Sequence, residues 1–313
     1  MRRYELDLLA AAQLGAEAAV TTVSGSAAVL AVASCVSSPG RAVLMPGWIC
    51  SGVVNAVLYA GMRPVMVDID ESFGMSPVHA DGIAATAEIG FVLYAPYGGF
   101  AIDLALWQHW AEDHDVPLVI DLAQTPDPLV WREATARAVA VVSSFRTGKP
   151  LGAEGGGVVA GGQEVIDRVR LLLNGGRDGR GRKVGVGLEL RMHPTAEAAA
   201  YRALSTYGDH VYAWREVTRD ALSAARSGLL PSWAQAEVAL SRLPRLDGVG
   251  RPLHPDATFR GEPWRRAVRE RLGPWREPPL PRLEALYDRV TVTKVVPAQY
   301  RGVPFVTSED AAV

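Results

Sequence analysis

The chain has 313 residues, of which 49% are hydrophobic and 21% charged, with a formal net charge of −2. That length suits one large domain or two modest ones, and the composition excludes a wholly disordered chain. Near-neutral charge argues against a polyelectrolyte built for nucleic acid, and the two cysteines, Cys35 and Cys50, exclude a disulfide scaffold and a four-cysteine zinc site.

In chain order, Met1-Arg2-Arg3-Tyr4-Glu5 turns acidic at once and shows no apolar core of signal-peptide type, so a cytoplasmic protein is expected. From Ala18 to Met62 the only charge is Arg41, but Val23-Ser24-Gly25-Ser26 and Met45-Pro46-Gly47 break the apolar run. The pieces between breakers have the length of buried strands and core helices, and no membrane span is predicted. Strands are predicted at Ala19–Val23, Ala42–Met45, Pro64–Ile69, Phe91–Ala95, Pro117–Ile120, Ala138–Ser143 and Gly157–Ala160. Helices are predicted at Ser26–Val36, Ser51–Ala60, Leu104–His114 and Gln163–Leu173. Near-continuous apolar runs such as Val-Met-Val-Asp-Ile-Asp mark strands buried on both faces, hence an α/β fold with a mostly parallel sheet. Residues 174–187 hold six glycines in fourteen and read as a mobile loop, a lid or a segment crossing to another subunit. Pro194–Ala225 reads as helical. The tail from Leu230, rich in proline, arginine and tryptophan (Trp233, Trp264, Trp275), reads as a small, less regular unit. The division expected is a large domain over residues 1–190 and a small one over 191–313.

Charge is unevenly spread. Residues 1–162 hold 8 basic against 16 acidic residues, and residues 163–313 hold 24 against 18, so a site for a small anion suits the second half. Of 32 basic residues only Lys149, Lys183 and Lys294 are lysines. Where arginine serves almost every need for positive charge, a retained lysine is a candidate for amine chemistry, which a guanidinium does not perform. Codon bias with chance survivors is the competing explanation.

Several motifs fail on inspection. Gly148-Lys149 lacks the earlier glycine and following hydroxyl of a P-loop, the six histidines show no metal spacing, and neither a nucleophile elbow nor a dinucleotide fingerprint is present. Four pieces remain at strand ends. Ser24-Gly25-Ser26-Ala27 opens a helix and is an anion cradle. Asp121, with Gln124 three residues on, ends an apolar strand, where a carboxylate is costly unless it meets a cation or donors. Ser144-Phe145-Arg146-Thr147-Gly148-Lys149 and Gly187-Leu188-Glu189-Leu190-Arg191-Met192 complete the set. A phosphate cradle, a carboxylate and a rare lysine are what pyridoxal phosphate requires: a holder for its phosphate, a partner for its ring nitrogen and an amine for its aldehyde.

Here the sequence resembles the DegT/DnrJ/StrS aminotransferases, the sugar-aminotransferase branch of fold-type I pyridoxal phosphate enzymes. The resemblance runs from about Val23 to Arg202. It rests on Ser24-Gly25-Ser26-Ala27, on Pro46 through Asp68 with Ala60-Gly61 and Pro64-Val65-Met66-Val67-Asp68, on Asp121-Leu122-Ala123-Gln124, on Ser144-Phe145-x-x-x-Lys149, and on Arg191-Met192. It implies a fold-type I large domain with a smaller C-terminal domain, a homodimer, and pyridoxal 5′-phosphate as cofactor. It makes Lys149 the Schiff-base lysine and Asp121 the partner of the ring nitrogen. Gln124 would lie beside the ring, and Gly25, Ser26 and Ser144 would hold the phosphate. The reaction implied moves an amino group from an amino-acid donor to a keto sugar or related keto metabolite.

Two positions depart from the family pattern. Where the family stacks an aromatic ring on the cofactor this chain has Cys50, with Trp48 two residues earlier as the substitute or as a core residue. The family's Asn before Arg-Met is Glu189, which would repel a phosphate. These departures keep two alternatives open: elimination, dehydration or retro-aldol chemistry on the same cofactor, and a non-catalytic regulator that binds it. Arg146, Arg177 and Arg191 are either solvated or meet carboxylate or phosphate groups of the substrate.

Overall fold

The computed structural model describes residues 4–47, 49–70, 74–96, 103–125, 127–146, 149–208, 251–252, 262–274, 277–287 and 291–292. A single seven-stranded sheet organises them. Its strands are β1 (Ala18–Thr22), β2 (Ala42–Pro46), β3 (Arg63–Val67), β4 (Ile89–Tyr94), β5 (Leu118–Asp121), β6 (Ala140–Ser144) and β7 (Gly157–Gly161), in the spatial order β1-β7-β6-β5-β4-β2-β3. β7 pairs antiparallel with both β1 and β6, and every other pairing is parallel. The carboxyl ends of β1, β2, β5 and β6 therefore lie along one edge, where ligands bind in open α/β sheets.

The apolar runs alternate between two cores because side chains alternate across a strand. Val43, Met45, Phe91, Leu93, Val119, Val142 and Val159 face helices α2 (Gly25–Val36), α3 (Ser51–Tyr59) and α7 (Gln163–Leu173). Leu44, Val65, Val92, Ile120, Val141 and Val158 face α1 (Glu5–Leu14), α4 (Pro77–Ala84), α5 (Leu104–Asp113), α6 (Pro128–Arg137) and α8 (Pro194–Ser205). All seven expected strands form, within two residues at each end, and so do the four expected helices. Helices α1, α4 and α6 were not among them, although Ser76-Pro77 and Asp127-Pro128 are start signals: each places an acceptor side chain before a proline in the first turn. The expected helix from Pro194 is described as far as Gly208, and its remainder lies outside the described residues. So do Trp48, Trp233 and Trp275, and nothing is described of the Trp264 side chain. Among the described residues no helix is long and apolar enough to cross a membrane.

After β7 and α7, residues 174–190 form a folded arm. Leu188 N–H donates to Leu172 O (2.6 Å), Gly175 N–H to Leu188 O (3.1 Å) and Asp178 N–H to Arg182 O (2.9 Å). The glycines that read as mobility have geometric reasons here. Gly175 and Gly176 have φ of 61° and 74°, in the left-handed region, and a Cβ on Gly176 would lie 2.1 Å from Gly185 O. Three apolar side chains of the arm stand exposed beside its charged ones: Val184, Val186 and Leu188 are 57%, 94% and 52% exposed.

From the tail, α9 (Glu262–Leu272) and α10 (Pro281–Tyr287) bury Val268, Leu280 and Leu283 in the core shared with α2 and α3. A two-residue ladder joins β8 (Arg251–Pro252) to β9 (Thr291–Val292).

Arg191 turns inward. Its guanidinium, 9% exposed, lies 3.6 Å from Asp7, which is 2% exposed and accepts Thr21 N–H (2.8 Å) and Thr21 Oγ1–H (2.9 Å). This pair ties α1 and β1 to the segment beyond the arm. Burial pushes the Asp7 carboxyl above its usual range, against the Thr21 hydrogen bonds and the arginines. Asp7→Ala strips a buried cation of its counter-charge and is expected to cost about 3–5 kcal/mol in urea unfolding. Asp7→Asn, which keeps an acceptor for Thr21, is expected to cost less.

Candidate active site

The edge carrying the carboxyl strand ends brings the predicted residues together. Ser24, directly after β1, caps α2 by accepting Ala27 N–H (3.1 Å). The amides of Gly25 and Ser26 in that first turn have no partner inside the helix, so the helix N-terminus is built for an anion. Gly25 rests on Ser144: a Cβ added there would lie 2.9 Å from Ser144 Cβ and 3.2 Å from its Oγ. The end of β6 is thereby drawn against the start of α2. Any side chain at position 25 would fill that approach.

β6 continues into a turn that presents Lys149. Phe145 is fully buried; its N–H donates to Gly156 O (2.9 Å) and its carbonyl accepts from Ala153 N–H (2.7 Å). Within that clamp Lys149 N–H donates to Arg146 O (3.0 Å) and Gly152 N–H to Lys149 O (2.8 Å). Ser144 Oγ accepts Arg146 N–H (3.2 Å). On the neighbouring strand Asp121 ends β5, and its Oδ1 accepts Ala123 N–H (2.8 Å). The turn that follows is held by Thr125 N–H to Leu122 O (3.0 Å) and by the Trp131 indole N–H to Thr125 O (2.6 Å). Gln124 sits in that turn, half-buried.

Asp121 and Lys149 feel each other's charge, yet among the described residues they form no direct ion pair. Burial pushes the Asp121 carboxyl up, opposed by the Ala123 N–H and by Lys149. Burial likewise pulls the Lys149 ammonium down, opposed by Asp121 and then by Cys50, while Arg146 pulls it further down. Both side chains keep some solvent contact although burial dominates both shifts. The lowered lysine holds more of its free-amine form at neutral pH, which is the nucleophilic form.

Cys50 is the site residue that the sequence marked only as a departure. It is exposed, it precedes the first turn of α3, and its charge reaches Lys149. Gly52 lies between it and the phosphate cradle: a Cβ there would be 2.8 Å from Ser26 Oγ and 3.8 Å from Cys50 Sγ. The N-termini of α2 and α3 thus meet beside the lysine. Trp48, the other ring-stacking candidate, lies outside the described residues. Of the arginines, Arg146 is exposed beside Lys149, Arg177 lies exposed in the arm, and Arg191 is spent on Asp7. Glu189 is exposed on the arm and folds over Gly175.

Residues 2–222 match the DegT/DnrJ/EryC1/StrS aminotransferase family. The chain belongs to that family. Its members are pyridoxal phosphate-dependent aminotransferases. Among curated relatives, the UDP-2-acetamido-2-deoxy-3-oxo-D-glucuronate aminotransferase of Pseudomonas aeruginosa is 23% identical over 203 residues, covering 63% of this chain and 56% of that protein. The chain thus aligns with little more than half the length of this relative. Among solved structures, S. venezuelae DesV in complex with a ketimine intermediate superposes with a TM-score of 0.74 at 21% identity, covering 94% of this chain and 83% of that one. A putative PLP-dependent aminotransferase from Bacillus cereus superposes with a TM-score of 0.73 at 16% identity, covering 96% and 88%. The fold is accordingly the fold-type I α/β architecture of these enzymes.

The charges around Lys149 make a prediction independent of any cofactor. The pH dependence of Lys149 acylation, mapped by mass spectrometry against Lys183 and Lys294, reports its titration. Asp121→Asn removes a carboxylate that favours the ammonium, so the midpoint moves to lower pH. Arg146→Gln removes a cation that disfavours it, so the midpoint moves up.

Proposed function

We propose that this family member is a pyridoxal phosphate-dependent aminotransferase that moves an amino group from an amino-acid donor to a keto sugar or related keto metabolite. The observation that carries the reading is the facing of Asp121 and Lys149 beside the α2 cradle. The residues fit the cofactor: the first amides of α2 with Ser26 and Ser144 would hold its phosphate, Asp121 its ring nitrogen and Lys149 its aldehyde carbon, with Gln124 alongside. The cofactor, once bound, supplies an electron sink for the carbanion-like state of the substrate.

The chain's own residues do the rest. Asp121, fixed by the Ala123 N–H and within electrostatic reach of Lys149, would offer a negative charge to a protonated ring nitrogen. The Lys149 amine would hold the cofactor's aldehyde carbon and would take and return the proton moved during amino transfer, a role favoured by the burial that lowers its affinity for protons. The Phe145 clamp holds its backbone while the side chain changes partner. The keto-sugar class is supported by the relative in Pseudomonas aeruginosa, and the α/β core by the structural neighbours. The proposal retains a large domain over residues 1–190 and a small one over 191–313.

A second copy of the chain belongs to this reading. Val184, Val186 and Leu188 present three apolar side chains on the arm, and Val23, 43% exposed, joins them next to the cradle where its N–H donates to Leu190 O (2.9 Å). This stripe suits the interface of a homodimer. Val186→Asp is expected to shift the protein toward monomer in sedimentation.

The decisive experiment is spectroscopic. Wild-type protein given pyridoxal phosphate is expected to turn yellow, to carry the label on the Lys149 peptide after borohydride, and to pass to the pyridoxamine form with glutamate or glutamine. Lys149→Ala is expected to take no borohydride label and to lose activity by roughly 10²–10⁴-fold or more. A yellow, Lys149-labelled protein that no amino acid converts to the pyridoxamine form would exclude amino transfer.

A further inference from the structure

Asp68, at the end of β3, is buried (4% exposed) and spends its carboxylate on distant backbone. Its Oδ2 accepts Arg282 N–H (3.0 Å), and its Oδ1 accepts Leu283 N–H (2.9 Å) and Ile69 N–H (2.9 Å). Arg282 and Leu283 are the first residues of α10 after Pro281, so Asp68 caps that helix from 214 and 215 residues away. A second strut runs beside it. His79 Nδ1 accepts Asp68 N–H (2.9 Å), and the ring also bonds the backbone of Pro279, which requires the neutral tautomer with its proton on Nε2. The preceding helix is held in the same region: Arg63 Nη2 donates to Leu272 O (2.5 Å), and Arg271 lies 4.6 Å over the Tyr59 ring.

What α10 presses on is the residue after the carboxyl end of β2. Leu280 and Leu283 close over Gly47: a Cβ there would lie 2.6 Å from Leu283 Cδ2 and 3.2 Å from Leu280 Cδ1. Gly47 N–H donates to Val67 O (2.8 Å), one residue before Asp68. Three residues beyond Gly47 stands Cys50, at the head of α3; Gly52 lies against both Cys50 Sγ and Ser26 Oγ, and Cys50 is within electrostatic reach of Lys149. Asp68, α10 and Gly47 therefore form one mechanical chain from the C-terminal segment to the carboxyl end of β2, on the edge that carries the site.

We propose that Asp68 is a positioning residue: by capping α10 it holds Leu280 and Leu283 against Gly47, three residues before Cys50 at the wall of the cofactor site, and so fixes the carboxyl end of β2. The C-terminal segment is thus part of the binding apparatus although it supplies none of the residues assigned to the cofactor. When α10 is undocked, the wall loosens, Cys50 becomes more reactive and the cofactor is held less well. The second consequence rests on the cofactor reading above, while the first does not.

The experiment compares wild type, Asp68→Ala and Leu283→Ala. In cofactor-free protein the rate of Cys50 alkylation by iodoacetamide is followed by peptide mapping, with buried Cys35 as internal reference. The pyridoxal phosphate dissociation constant is measured by fluorescence titration. Losing charge-assisted hydrogen bonds to two amides shifts α10 docking by roughly 10- to 100-fold. Asp68→Ala is expected to raise both the Cys50 alkylation rate and the cofactor dissociation constant by roughly tenfold. Leu283→Ala, which leaves Asp68 intact but removes the contact on Gly47, is expected to move both in the same direction and decides the matter should Asp68→Ala fail to fold. Glu270→Ala, on the exposed face of α9, is expected to move neither. Faster Cys50 alkylation in Asp68→Ala and Leu283→Ala, together with a wild type that binds no pyridoxal phosphate, would uphold the brace and overturn the cofactor reading. A lowered melting temperature with alkylation rate and dissociation constant both within twofold of wild type would overturn the brace and leave Asp68 a purely structural cap.

Discussion

An amine and a carboxylate are kept near one another below the surface, close enough to feel each other's field and yet not joined in a salt bridge. Burial acts on both in the neutral direction, raising the acid and lowering the base, and each charge opposes the shift of the other. Such a pair is costly to fold around. In the proposed reading its usefulness is chemical: the carboxylate would serve the cofactor's ring nitrogen and the amine its aldehyde carbon. Everything else at the site serves that spacing. Strands β5 and β6 are parallel neighbours, so their carboxyl ends advance side by side, and the two turns that carry Asp121 and Lys149 are each locked by a buried aromatic, Trp131 and Phe145.

The same edge explains why glycines gather there. Gly25 allows Ser144 to close on the head of α2, and Gly157 allows β7 to pass Ser24, whose carbonyl would lie 2.5 Å from a Cβ. Gly156, at φ 107°, makes room for Met192, and Gly52 lets α3 approach Ser26. The cradle is therefore a meeting of three strand ends with two helix starts. Its tolerance for side chains is set by backbone proximity.

How much of this was legible follows from which forces act locally. Strands buried on both faces write themselves as unbroken apolar runs, so the sheet was readable, and the polar residues ending those runs, Ser24, Asp121 and Ser144, pointed to its functional edge. Lys149 stood out through the scarcity of lysine. Short helices such as Pro77–Ala84 and Pro128–Arg137 escaped because few turns carry little periodicity, and their cap-and-proline starts were the only signal. Arg191 was read as a possible substrate contact. Its partner Asp7 lies 184 positions earlier, and no local pattern reveals such a pairing. The glycine-rich arm was read as mobile because composition records permission for unusual backbone, whereas the hydrogen bonds that use that permission are visible only once folded. Trp48 remains outside the described residues, so its part in ring stacking stays with the sequence reading.

Cys50 and Asp68 show how a departure and a motif residue acquire meaning from their surroundings. A thiol in place of an aromatic ring gives up flat contact area and stiffness at the wall of the site. A wall built from a small side chain depends more on whatever holds its backbone. In this chain Gly47, three residues before Cys50, packs under Leu280 and Leu283, and those leucines are seated by a carboxylate that answers two amides at the start of α10. Loss of stiffness in one side chain is thus met by a brace from the far end of the sequence. The physical requirement that a buried carboxylate find donors and the requirement that a lysine keep a defined neighbour are satisfied by the same short helix.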